Sequence, residues 1–123
     1  MSSQSPALQD LLARRLDLVA RLSQATAALQ RLQQTRASAE MDAQRCEIGL
    51  EGEGTGDMAR DLLRRDSLKA DLAEARERID ESEAGLERCE AEIAGFEQSL
   101  AETDRQIEAA ARRQSSGVRE DGE

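Results

Sequence analysis

Apolar residues recur through the first half of the chain at alternating steps of four and three. Lettered as a heptad, Leu8, Arg15, Leu22, Leu29, Arg36, Ala43 and Leu50 fall at a, and Leu11, Leu18, Ala25, Leu32, Ala39 and Cys46 at d. Only Arg15 and Arg36 interrupt a stripe whose width suits a helix packed against one other helix. Ser5 followed by Pro6 reads as an N-cap with proline at the first helical position, so the pattern predicts a helix over about 5–48. Residues 49–56 then hold four of the eight glycines, which predicts a turn. Asp57 is the expected N-cap of a second helix over about 57–113. In it Leu72, Ile79, Leu86, Ile93, Leu100 and Ile107 repeat unbroken at a, while Leu68, Ala75, Ser82, Cys89, Phe96, Thr103 and Ala110 form a smaller, more mixed d set. Arg112 and Arg113, then Ser115-Ser116-Gly117, mark its expected end. Residues 1–4 and the acidic tail 114–123 are read as disordered.

The predicted fold is all-α: a two-helix antiparallel coiled-coil hairpin with a disordered tail. Folding the chain at its glycines brings a layers against d layers when Ala39 faces Leu72, Arg36 faces Ala75, Leu32 faces Ile79, Leu22 faces Cys89 and Leu18 faces Ile93. Small residues then often meet large ones, as close packing requires. The same pattern fits one long parallel coiled coil with a flexible interruption, but charge favours the hairpin. Residues 1–50 carry six Arg and five acids, while twelve carboxylates and four Arg lie between Glu74 and Glu108, so a helix richer in Arg folding alongside relieves repulsion.

Composition narrows the function classes. The 123 residues carry 17 basic and 26 acidic side chains, a net charge of -9, with no His, Trp or Tyr and a single Phe. Without His, neither a His-dependent base nor an activated Cys nucleophile is available, and phosphate-cradling glycine loops are missing. The expectation is a protein that is not an enzyme, with no catalytic, cofactor-binding or metal-ligating residue. The acidic balance and the lack of aromatics argue against direct nucleic-acid binding. No apolar run approaches a membrane span and no signal-peptide pattern opens the chain, so no membrane insertion and a cytoplasmic location are expected. Sixteen Arg to one Lys hints at a GC-rich bacterial genome.

Several residues fall outside the seam. Leu12, Leu16 and Val19 form a second apolar row that a two-helix hairpin cannot cover, and they are the candidate partner-binding face, for another protein or for a homodimer. Met41 and Ile48, with Leu62 and Leu63, form a secondary apolar patch near the turn. Arg15 and Arg36 occupy core positions where Arg15 is expected to stack on Phe96, and Arg36 to cross Ala75 and reach Glu74. Glu51, Glu53 and Asp57 make an acidic tip. Cys46 and Cys89 lie in different layers, too far apart for a disulfide, and read as small buried thiols. Gly85 and Gly95 inside the second helix suggest a bend or a close backbone approach.

Two long helices spanning residues 5 to 113, with segments such as Leu11-Leu12-Ala13-Arg14-Arg15-Leu16, resemble the stalk subunits of type III secretion and flagellar export machines. That resemblance implies an antiparallel coiled coil whose terminal end sits in the ring of an export ATPase and which also contacts the export gate and chaperones. The tip of Glu51, Glu53 and Asp57 is similar in shape to that of transcription-cleavage factors, which implies the alternative: a regulator of a nucleic-acid enzyme such as RNA polymerase, acting through an acidic tip or an acidic helix.

Overall fold

The computed structural model describes residues 6–121, with side chains from residue 6 through 116. Two helices, α1 (Pro6–Glu51) and α2 (Met58–Asp121), pack against each other as an antiparallel hairpin, and the described residues contain no strand. Pro6 opens α1, where its missing N–H costs nothing. The expected N-cap Ser5 and the segment 1–4 lie outside the described residues.

Both helix ends depart from the sequence expectation. α1 continues through Gly49 to Glu51 because Leu50 packs on the cluster of Ala43, Cys46, Leu72 and Ala75, and this burial offsets the roughly 1 kcal/mol that a helical glycine costs. α2 does not stop at Arg113: its backbone is helical to Asp121, so most of the stretch expected to be a disordered tail is helix. No proline interrupts Gln114–Asp121, and one glycine is too small a penalty to end a long helix whose propagation adds one bond per residue.

The described part of the hairpin comprises two compact units, residues 6–27 with 90–121, and residues 28–89. In the first, Leu8, Leu18 and Ala25 of α1 are buried, as are Thr103 and Ala110 of α2. Thr103 is 1% exposed and its hydroxyl donates to the Ser99 carbonyl at 2.8 Å, so a polar group sits in this seam without an unmet hydrogen bond. In the second, Ala39, Ala43 and Cys46 are buried with Leu72, Ala75, Ser82 and Leu86, and Leu50, Leu68 and Ile79 pack at the margin. All of these buried α1 side chains stand at a or d.

The register is displaced from the expected one by a heptad. Leu72 and Ala75 pack with Ala43 and Cys46, not opposite Ala39 and Arg36. The same shift sets Leu32 against Gly85, where an added Cβ would lie 3.1 Å from Leu32 Cδ1, in place of the expected Ile79. Gly85 is therefore a close approach; Gly95 has open space around it and is not. The antiparallel sense is written in the ion pairs. Arg76 meets Glu47 at 3.5 Å, both at position e, and Arg78 meets Asp42 at 3.1 Å, both at g. The two interrupting arginines also change partners: Arg15 pairs with Asp104 at 2.8 Å instead of stacking on Phe96, and Arg36 pairs with Glu40 on its own helix at 3.2 Å instead of reaching Glu74. Cys46 is buried and Cys89 half-buried, both free thiols, so only the first matches the expected buried site.

Candidate interaction surfaces

α1 carries a second stripe in the first unit. Leu12, Leu16 and Val19 occupy positions e, b and e, one turn apart along one face and turned away from a and d. Leu16 is 71% exposed and Val19 37%, while Leu12, nearer the seam, is half-buried. Ser23 and Thr26 continue the steps of four and three, and with Gln9, Ala13, Ala20 and Ala27 they make the b, e and f positions of this stretch free of charge. Its charges, Asp10, Arg14, Arg15, Asp17 and Arg21, all fall at c, g or a. In a chain with 35% charged residues that segregation is legible in the sequence, but only when the whole face is read in place of its three largest side chains.

α2 supplies the border of that face. Position e of one helix lies beside position e of the other in an antiparallel pair, as Arg76 and Glu47 show. The Arg15–Asp104 pair fixes the same side in the first unit, with both side chains about half exposed. Glu97 and Glu90 precede Asp104 at the same heptad position, exposed and without an ion pair among the described residues, and Ala94 and Ala101 lie between them. On the opposite side of the seam, Arg14, Leu18, Arg21, Glu92, Gly95 and Phe96 line a shallow groove of about 410 Å³. Gly95 forms part of its lining, with open space where a Cβ would stand.

The secondary patch divides. Met41 and Ile48 are exposed at position f of α1, and Leu62 and Leu63 are exposed on α2. Met58, which the sequence pattern leaves out of the patch, is the most exposed of these large apolar residues, at 77%. It continues the α2 a positions backward through Arg65. The register shift explains its exposure, because α1 ends before it can meet the first turns of α2.

Glycine and two aspartates build the turn. Gly56 has φ of 91°, the left-handed region that glycine enters without strain. Asp57 caps α2 as expected, accepting the Arg60 N–H at Oδ1 (3.2 Å). Asp61 Oδ1 accepts both the Thr55 N–H and the Thr55 hydroxyl at 2.9 Å, and those bonds hold its carboxyl below the ordinary value of 3.8. Gly54 leaves room for this contact, since a Cβ there would collide with Asp61 Oδ2. Arg64 Nη1 donates to the Gly49 carbonyl at 3.3 Å and ties α2 to the end of α1. Of the three acids of the expected tip, Asp57 is engaged in the cap, and Glu51 and Glu53 are exposed. Among the described residues, no group of three His, Cys, Asp or Glu side chains is placed to hold a metal ion, and no helix is long and apolar enough to cross a membrane. No family model, curated protein or solved structure matches the chain.

Proposed function

We propose that this chain is a non-enzymatic helical-hairpin interaction module that binds a protein partner through the α1 row Leu12, Leu16 and Val19. The observation that carries the reading is the exposure of Leu16, 71%, at the centre of an uncharged helical face. A large apolar side chain in that setting gains free energy from being covered, and the partner helix within the hairpin does not cover it. In its specific form the module is a stalk, scaffold or escort component of a bacterial protein-export apparatus that engages an export ATPase or chaperones. The acidic-tip alternative is the less supported, because the Asp57 carboxylate is taken up in capping α2. The test is binding of the full chain to a purified export ATPase before and after Leu12→Glu with Leu16→Glu. Loss of binding with helicity retained is the expected result, and unchanged binding would remove the docking row from the account.

A further inference from the structure

We infer that the partner this face receives is a basic amphipathic helix of another protein, seated along Leu12, Leu16, Val19, Ser23 and Thr26, with its cations against Glu97 and Glu90 beside the Ser23 and Thr26 end of that row. The inference rests on the docking reading above and adds the chemistry of the occupant. Three observations lead to it.

The first is periodicity. Leu12, Leu16, Val19, Ser23 and Thr26 follow the alternation of four and three that lets another helix lie along α1 in knobs-into-holes fashion. Ala13, Ala20 and Ala27 beside them permit a close approach, as do Ala94 and Ala101 on the neighbouring stretch of α2.

The second is the asymmetry of charge around the row. Its outer margin on α1 is uncharged. Its inner margin, on α2, carries Asp104, Glu97 and Glu90 one heptad apart; in the register that the Arg15–Asp104 pair sets, Asp104 stands beside Leu16, Glu97 beside Ser23 and Glu90 just beyond Thr26. Arg15 neutralises Asp104 at 2.8 Å, but Glu90 and Glu97 have no ion-pair partner among the described residues. An occupant therefore meets two unpaired glutamates on its inner flank, and bases spaced by a heptad on that flank complement them.

The third excludes the nearest competitor, a second copy of this chain. A second copy seated on this face offers Glu90 and Glu97 no cation, because the b, e and f positions of the same stretch of its α1 carry no charge. Like charges oppose association, and each copy carries a net charge of -9.

Fluorescence anisotropy with the full chain and synthetic helical peptides tests this. One peptide carries Leu at alternating steps of four and three with Arg on one flank; a second has Glu in place of each Arg; a third keeps the Arg and scrambles the Leu. The Arg-flanked peptide is expected to bind, the other two to bind at least about tenfold more weakly. Glu90→Lys with Glu97→Lys should lose about tenfold for the Arg peptide and gain for the Glu peptide, a reversal that damaged folding cannot produce. Equal binding of the Arg and Glu peptides, or an affinity indifferent to the Glu90 and Glu97 reversal while Leu16→Glu still abolishes binding, would overturn the basic-helix assignment and leave the docking row standing. Binding indifferent to Leu16→Glu would overturn both. A dimer by light scattering that Leu16→Glu dissolves would hand the face to a second copy.

Discussion

At the scale of single residues, two glycines in α2 make a controlled pair. An added Cβ at Gly95 meets nothing within 4 Å, so Gly95→Ala should collect the full helix-propensity gain, about 1 kcal/mol. At Gly85 the same methyl group meets Leu32 Cδ1 at 3.1 Å and Cδ2 at 3.2 Å, so part of the gain is lost in displacing a half-buried leucine. Urea unfolding of both variants should therefore rank Gly95→Ala above Gly85→Ala; the opposite order would mean that the seam is looser at Leu32 than the contacts indicate. Asp61 gives a pH prediction. Its carboxyl is held below 3.8 chiefly by the Thr55 N–H and hydroxyl, so the ionised form is favoured in the folded chain. A depressed native pKa contributes stability above the unfolded value and loses it as pH falls through the native one. Between neutral pH and pH near 3, wild type should thus lose more stability than Asp61→Asn, read as the narrowing gap between their thermal midpoints. Asp57 was legible because a cap depends on residues adjacent in sequence. Asp61 was not, because its role appears only when the turn brings Thr55 back onto the first turn of α2.

At the scale of the helices, the heptad made the hairpin legible and at the same time concealed its register. Sliding one helix by seven residues again puts a against d, so the pattern alone admits a ladder of solutions one turn-pair apart. The register chosen for its small-against-large pairs is one rung away from the one the chain adopts. The glycine-rich segment is long enough to climb past the end of α1, so the first turns of α2 overhang and Met58 stays exposed at an a position. Leu50 extends α1 for the same reason: its packing against the cluster of Ala43, Cys46, Leu72 and Ala75 belongs to the displaced register. A heptad shift leaves every face of α1 where it was, so Leu12, Leu16 and Val19 stand off the a and d positions in either register. Cysteine pairs separate the two registers. With Cys46 and Cys89 replaced by Ala, Ala43→Cys and Ala75→Cys should form a disulfide on mild oxidation, because both positions are buried in one tightly packed layer. Arg36→Cys with Ala75→Cys should not. A crosslink in the second pair and none in the first would restore the register that the small-against-large pairs suggest.

At the scale of the whole chain, two electrostatic effects compete, and salt distinguishes them. Ion pairs such as Arg15–Asp104 and Arg78–Asp42 stabilise locally, but every side chain in the ion pairs described is at least 36% exposed, a setting in which a pair contributes at most about 1 kcal/mol and often nothing. Against them stands a net charge of -9, concentrated on α2, where Glu77 and Glu81, and again Glu83 and Glu87, place like charges one turn apart. Those repulsions act over longer distances than the pairs, and the screening length falls from about 30 Å at 0.01 M salt to about 3 Å at 1 M. Screening should consequently remove more repulsion than attraction. The thermal midpoint is expected to rise by about 3–8 °C from low to high sodium chloride, corresponding to roughly 1 kcal/mol for a domain of this length. A falling midpoint would mean that the local pairs outweigh the surplus of carboxylates. The same surplus bears on binding: an acidic partner is repelled by α2 along its length, whereas a basic helix gains from Glu90 and Glu97 and relieves part of the repulsion that the fold carries alone. Its affinity should therefore weaken over the same range of salt in which the free chain becomes more stable, and a titration of binding and of melting in one salt series reads both signs together.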